Sequence, residues 1–308
     1  MNSSFNATNN PTPISVVMTT FNGGKFLQEQ IESILSQTLQ PAEIIVCDDH
    51  STDNTVEILK DYQNKNVLTY YVNESRLGVI ANFKKAVSLA SQHHFIALSD
   101  QDDIWFPEKL EHQYKELIKI NELGFPAIVY SDLMVIDDKK NILNSSFWNE
   151  LGHDTYSHSF KTLLFGNFIT GCTIMMNDTM RKYFLQMPDN VPMHDGWLAL
   201  IAYSFGKMKQ IKEPHVQYRK HDSNLAYATN YKKLGRMSRW LKNIKMIFVK
   251  NDYLLNELKV AALFYANHQS RISENQRKIL LKFLRLKNKS FIHKKITFFA
   301  FFRNAWKD

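Results

Sequence analysis

Phe95-Ile96-Ala97-Leu98-Ser99-Asp100-Gln101-Asp102-Asp103 is the stretch on which the fold turns. Its first four residues are apolar and too few for a helix, so they read as a buried strand, and three acids follow within four positions. Towards the N-terminus the same pattern occurs twice. Ile14-Ser15-Val16-Val17-Met18 runs into Thr19-Thr20-Phe21-Asn22-Gly23-Gly24, and Glu43-Ile44-Ile45-Val46-Cys47 runs into Asp48-Asp49. A further strand fits Leu68-Thr69-Tyr70-Tyr71-Val72. Helical spacing separates these strands. Phe26, Leu27, Ile31, Ile34 and Leu35 share one face; Val56, Ile58 and Leu59 follow a cap at Ser51 or Asp53; a third helix covers about Val79 to Ser91. Strand and helix alternating in this way predict an α/β fold with a mostly parallel central sheet and helices on both faces. Ligands bind such sheets beyond the carboxyl ends of the strands. Thr20 and Asn22, Asp48 and Asp49, and Asp100 and Asp102 all fall at that edge.

Further along, Ala127-Ile128-Val129-Tyr130 reads as a strand ending at Ser131-Asp132. Ile174-Met175-Met176 is an apolar run preceded by Thr170-Gly171-Cys172, and a helix starts near His194-Asp195-Gly196-Trp197.

Asp100, Asp102 and Asp103 repel one another unless a cation sits among them. Carboxylate oxygens suit Mg²⁺ or Mn²⁺, ions that keep several waters and bridge to phosphates. Asp-x-Asp at a strand end can present two oxygens to one ion and its diphosphate; the plainer alternative is a capping turn ahead of Pro107. Asp48 and Asp49 face a similar choice between a turn and a carboxylate that accepts the imide N–H of a uracil or thymine. The chain has no glycine-rich phosphate loop, so a bound diphosphate must be neutralised by metal or by basic side chains.

A chain of 308 residues, 44% hydrophobic, can bury one large domain plus an appendage, and 22% charged residues argue against bulk disorder. The two cysteines, Cys47 and Cys172, sit in apolar stretches without metal-type spacing, which predicts reduced, buried thiols. The polar N-terminus lacks the pattern of a signal peptide, and no apolar run reaches bilayer length, so the expected location is cytoplasmic. The net charge of +8 is uneven: residues 231–308 hold 19 Lys/Arg against four acids, while the rest holds 19 basic and 26 acidic residues. Such a tail points to nucleic acid or an anionic membrane.

Several stretches together resemble one family. Ser15-Val16-Val17-Met18-Thr19-Thr20-Phe21-Asn22-Gly23 resembles the opening strand and turn of family 2 glycosyltransferases, with Thr19 for the usual Pro and Phe21 for the usual Tyr. Val46-Cys47-Asp48-Asp49-His50-Ser51-Thr52-Asp53-Asn54-Thr55 resembles that family's second motif. Ser99-Asp100-Gln101-Asp102-Asp103-Ile104-Trp105, His194-Asp195-Gly196-Trp197-Leu198-Ala199-Leu200 and Tyr218-Arg219-Lys220-His221 are similar to a subgroup that includes bacterial rhamnosyltransferases. The likeness spans about residues 14–227.

The resemblance implies a GT-A fold and an inverting sugar transfer from a nucleotide-diphosphate sugar. The donor would be dTDP-rhamnose by preference, with UDP-sugars open. The acceptor would be a glycan, lipid-linked, in surface polysaccharide synthesis (an O-antigen or a capsule). By the same resemblance Thr20, Phe21, Asn22, Asp48, Asp49, Arg76, Asp100 and Gln101 hold the nucleotide sugar, and Asp102 with Asp100 holds the metal. Arg219 and His221 meet the diphosphate, Asp195 is the base, and Thr170, Gly171 and Trp197 meet the acceptor; Asp195 also suits a helix N-cap, His221 a metal contact or a solvated basic loop, and Trp197, at helical spacing with Leu200, a core position.

The expected organisation is a disordered stretch over 1–12, a catalytic domain over 13–230 with a nucleotide half to about 105 and an acceptor half from about 106, and a basic helical segment over 231–308. That segment interleaves Lys232, Lys233, Arg236 and Arg239 with Trp240, Leu241 and Ile244, and near its end sets Phe298 and Phe299 beside Lys294 and Lys295. It is expected to lie on the inner face of the cytoplasmic membrane, the plainer alternative being a helical appendage that packs its apolar face on the catalytic domain. The rival reading is a nucleic-acid-binding protein using the same charge, against which stands the lack of any recognisable module.

Overall fold

The structure is a computed structural model that describes residues 13–221 and 254–302. The expected disorder over 1–12 and the basic run from Lys232 to Ile244 lie outside the described residues.

Four parallel strands form the N-terminal half of the sheet: β1 (Ile14–Thr20), β2 (Glu43–Asp48), β3 (Thr69–Val72) and β4 (Phe95–Ser99). Helices α1 (Leu27–Leu35), α2 (Thr55–Asn64) and α3 (Val79–Leu89) connect them. Their spatial order is β3-β2-β1-β4, so the chain winds outward one way from β1 and then jumps back to β4. That reversal leaves a crevice between the carboxyl ends of β1 and β4. The register places Thr20 opposite Asp48 and Met18 opposite Ser99, so the three polar clusters emerge along one edge.

The remaining elements are β5 (Ile104–Trp105), α4 (Lys109–Ile120), β6 (Ala127–Ile136), β7 (Ile142–Asn144), α5 (Phe147–Leu151), α6 (Phe160–Leu163), β8 (Met175–Met176), α7 (Asp178–Leu185), α8 (His194–Phe205) and β9 (Lys207–Arg219). They extend the sheet in the order β4-β8-β6-β9-β5, with β7 on the edge of β6. Here β8 is antiparallel to both of its neighbours. The strand expected to end at Tyr130 continues through Ser131 and Asp132 to Ile136, bent by shifts in register against β9. Asp132 stays inside because it accepts from the Ser146 hydroxyl and from the Leu133 and Trp148 amides.

Side chains alternate along β1 as a sheet covered on both faces requires. Val16 and Met18 pack with Leu27, Ile31 and Leu59 on one face, while Val17 packs with Phe83, Ala86 and Leu98 on the other. Cys47 and Cys172 are free and buried, as expected. In both thiols burial pushes the pKa up, in Cys47 to about 11.

Three further helices follow: α9 (Leu255–His268), α10 (Glu274–Leu284) and α11 (Phe291–Phe302). Leu258, Ala261 and Phe264 of α9 and Leu280 and Phe283 of α10 join the core on the α3 and α8 face. Trp197 of α8 meets the Phe264 ring at 5.7 Å and the His268 ring at 5.5 Å. These helices therefore share the catalytic unit's core. No described helix is long and apolar enough to cross a membrane.

Candidate active site

A cleft of about 580 Å³ opens at the carboxyl edge of the sheet. Thr20, Phe21, Asn22, Asp49, Arg76, Asp100, Gln101, Asp102, Thr170, Gly171, Asp195 and His221 line it. Twelve of the residues predicted from sequence thus converge on one cavity, drawn from segments nearly the whole catalytic unit apart.

The turn after β1 is held by side chains from two other segments. The Gln101 carboxamide accepts from the Phe21 amide at 2.8 Å and donates to the Phe21 carbonyl at 3.1 Å. The next three amides, of Asn22, Gly23 and Gly24, donate to Ser51 Oγ, Thr55 Oγ1 and Asp53 Oδ2. Gly23 has to be glycine here, since a Cβ would fall 2.2 Å from Gln101 Oε1. Asn22 holds a positive φ of 48°, a conformation its side chain tolerates, and that side chain accepts from the Thr52 amide.

Asp48 and Asp49 divide their labour. Asp48 is fully buried, accepting from the Thr20 hydroxyl at 2.7 Å and from the Ser51 amide and hydroxyl. It lies under the cleft wall, so the structure gives it support of the turn, where direct contact with the nucleotide had been expected. Asp49 reaches the cleft and also accepts from the Leu77 and Gly78 amides, fixing the segment that carries Arg76. The Arg76 guanidinium stacks 3.9 Å above the Phe21 ring. Together Phe21, Arg76 and Asp49 form a slot of one aromatic face, one planar cation and one carboxylate.

On the other side of the crevice stand the acids. Burial pushes Asp100 up to about 7, helped by the charges of Asp102 and Asp195. Asp102 lies 2.9 Å from His221 Nε2 through its Oδ2. Arg219, expected at the diphosphate, is 1% exposed and does not line the cleft. Its guanidinium meets Glu29 at 2.5 Å, donates to the Asp102 carbonyl and stacks on Phe26, so it braces the acidic turn from behind.

Two carboxylates in one turn at the mouth of the cleft are a donor set that fits a hard divalent cation. Asp100, Asp103 and Cys172 also offer atoms within 4.8 Å of one another. That group lies deeper and includes a thiol, with the buried Lys109 ammonium near Asp103 and Cys172. Burial lowers the Lys109 pKa to about 7 and raises those of Asp103 and Cys172, which favours neutral groups at that depth. The fit to Mg²⁺ or Mn²⁺ rests on Asp100 and Asp102, which face the cleft.

Asp195 sits in the first turn of α8 and is 9% exposed. Burial raises its pKa to about 6, against the pull of hydrogen bonds from the Gly196 and Gly171 amides and the Asn167 side chain. The site thus holds a carboxylate that is ionised at neutral pH yet basic enough to accept a proton.

Trp197, expected to meet the acceptor, is 1% exposed and packs inward against α9. Helical spacing puts Asp195 and Trp197 on opposite sides of α8, and the packing of α9 turns Trp197 inward. Conversely, His194 had not been singled out. It lines the cleft beneath Phe83, with ring centroids 4.7 Å apart, and among the described residues neither ring nitrogen has a partner. Burial lowers its pKa to about 4, so it is neutral. A Cβ on Gly171 would fall 2.5 Å from its Nε2, so the glycine makes room for the imidazole. Its place beside Asp195 was the available signal. Lys25, Asn82 and Met193 also line the cleft and carried no sequence signal.

An α/β sheet that reverses at a crevice lined by acids and an aromatic–arginine slot is the GT-A arrangement. The sequence model described as "Glycosyl transferase family 2" matches residues 15–184, and the chain belongs to that family. The dTDP-rhamnosyl transferase RfbG of Shigella flexneri is 24% identical over 251 residues, which are 73% of this chain and 81% of that protein. Among solved structures, TarS of S. aureus in complex with UDP-GlcNAc superposes with a TM-score of 0.53 at 14% identity, covering 88% of this chain and 79% of that one. The mannosyltransferase PcManGT of Pyrobaculum calidifontis, in complex with GDP-Man and Mn²⁺, superposes with a TM-score of 0.51 at 15% identity, covering 96% and 88%. These two likenesses bear on the fold.

Proposed function

We propose that this glycosyltransferase moves a sugar, rhamnose in the favoured case, from a nucleotide-diphosphate donor to a hydroxyl of a lipid-linked glycan, with inversion, during bacterial surface polysaccharide synthesis. The observation that carries the reaction type is the meeting of Asp100, Asp102 and Asp195 in one cleft beside the Phe21–Arg76–Asp49 slot. The likeness to RfbG over most of both chains supports the donor, and the neighbours solved with UDP-GlcNAc and GDP-Man support a nucleotide sugar of some kind.

In this reading the base lies against the Phe21 ring and the Arg76 plane, with Asp49 offering an acceptor to its imide N–H. Asp102 and Asp100 would hold Mg²⁺ or Mn²⁺, which supplies charge to offset the departing diphosphate. His221, against Asp102, directs that carboxylate and can donate to a phosphate oxygen. Asp195 takes the proton of the acceptor hydroxyl as that oxygen bonds to the anomeric carbon. The bond from that carbon to the diphosphate oxygen breaks on the opposite face, so the product is a glycoside of inverted configuration and a nucleoside diphosphate. Thr170 and Gly171 border the acceptor's approach. The enzyme works in the cytoplasm at the membrane surface, where such an acceptor resides.

The test is transfer from dTDP-rhamnose, UDP-glucose and UDP-GlcNAc, with Mn²⁺, to a lipid-linked saccharide, read by mass spectrometry. Thermal shift with each donor runs alongside, because a ligand selective for the native state raises the melting temperature. A preference for a UDP-hexose would replace the rhamnose reading. Binding of DNA with a steep salt dependence, and of no sugar nucleotide, would favour the rival reading.

A further inference from the structure

Helix α11 has two different faces. Phe291 is 7% and Lys294 4% exposed, and the Phe298 ring packs edge-on against Phe165 of the catalytic unit with centroids 5.6 Å apart. Ile292, Ile296 and Phe299 are 51%, 61% and 56% exposed. These positions are i, i+4 and i+7, so they form one stripe about 10 Å long. Single exposed apolar residues are ordinary on a soluble surface. Three in register on a helix already anchored by its other side are a surface awaiting an apolar partner.

The surroundings say which partner. Arg285, Lys287 and Lys289 are exposed in the short link that leads into α11. Residues 254–302 hold ten Lys/Arg against two acids, Glu257 and Glu274. Glu257 is largely shielded by burial and Glu274 lies 3.9 Å from Arg277, so neither neutralises the link. A second copy would set cations against cations. An anionic lipid leaflet offers hydrocarbon for the stripe and negative charge for the link.

We propose that the Ile292–Ile296–Phe299 face of α11, with the cations of Arg285, Lys287 and Lys289, is the surface by which this protein rests on an anionic bilayer. The helix lies in the interface, as an element too short to span must. The contact has a path to the site. Phe165, on which α11 packs, is followed five residues later by Thr170 and Gly171, which wall the cleft. This inference rests on the lipid-linked acceptor for its biological sense, but its test needs no substrate.

The test is vesicle flotation of the full chain on phosphatidylglycerol/phosphatidylcholine and on phosphatidylcholine alone, at low and high salt. Wild type should float with the anionic vesicles, less so at high salt, and weakly with the neutral ones. Ile296→Asp/Phe299→Asp should reduce its partitioning at least tenfold, roughly the loss expected on removing two half-exposed apolar side chains. Lys287→Glu/Lys289→Glu should reduce it to a similar degree and flatten the salt dependence. Both pairs are exposed, so melting temperatures and transfer to a water-soluble acceptor should stay at wild-type values. The proposal is overturned if wild type ignores anionic vesicles, floats equally on neutral ones, or if the stripe variant floats like wild type. A wild-type dimer in light scattering that the stripe variant abolishes would assign the face to a second copy. Absence of transfer by a wild type that floats normally would count against the transferase reading alone.

Discussion

Asp195 provides the sharpest test of the site. Its carboxyl carries a pKa of about 6 because burial outweighs the amides of Gly196 and Gly171. A base works only when ionised, so the rate should be full above that value and fall as pH drops through it. With a pKa of about 6 the ionised fraction is about 0.97 at pH 7.5 and about 0.09 at pH 5.0, a roughly tenfold fall. Asp195→Asn keeps the shape and removes the proton acceptor. Turnover should fall by about 100-fold or more, equivalent to about 2.7 kcal/mol at the transition state, and the acid limb should disappear from what remains. The assay is single-turnover transfer at saturating donor from pH 5 to 8, with donor affinity measured separately by calorimetry. The reasoning fails if wild type is flat across that range, or if the variant loses donor binding while keeping its turnover.

Asp102→Ala should abolish transfer and remove any dependence of donor affinity on Mn²⁺, read by titration with and without EDTA; full activity in EDTA-treated wild type refutes the metal role. Gly171→Ala should lower turnover by about 100-fold and also lower the melting temperature, since a Cβ forced into this buried turn costs about 1–3 kcal/mol. Its Cβ would stand 2.5 Å from His194 Nε2, and displacing that turn moves an amide that holds Asp195. Phe264→Ala should destabilise the whole molecule by about 3–5 kcal/mol, because this fully buried ring closes the core between α8 and α9. A single denaturation transition moving to lower urea confirms this, whereas a separate early transition would mean that the C-terminal helices fold alone.

The N-terminal half was legible because its strands are covered on both faces and so appear as unbroken apolar runs, each ending in polar residues. The apolar runs ending at Met18, Cys47 and Leu98 locate those strands, and the structure carries them one or two polar residues further, to Thr20, Asp48 and Ser99. Beyond Trp105 the pattern weakens. β8 is only two residues long, and the charge of Glu213 and the missing N–H of Pro214 hide β9, a strand of 13 residues. Register across such irregular pairing is a tertiary property, which local periodicity does not carry. The site was legible by residue type but not always by direction. Trp197 and Asp195 lie two apart in α8, about 200° around the helix axis, and only the packing of α9 decides which faces inward. The Arg219–Glu29 pair joins residues 190 positions apart, and no local signal announces it.

The turn after β1 has a consequence for how a donor is received. Amides at a phosphate-cradling loop are bare until the ligand arrives, but here those of Phe21, Asn22, Gly23 and Gly24 already have acceptors from the protein itself. This jaw of the cleft is set before any encounter and has little conformational freedom left to lose. It also has no spare N–H with which to attract a phosphate. Hold on the phosphates falls instead to the basic side chains that line the cleft, Lys25, Arg76 and His221 among them.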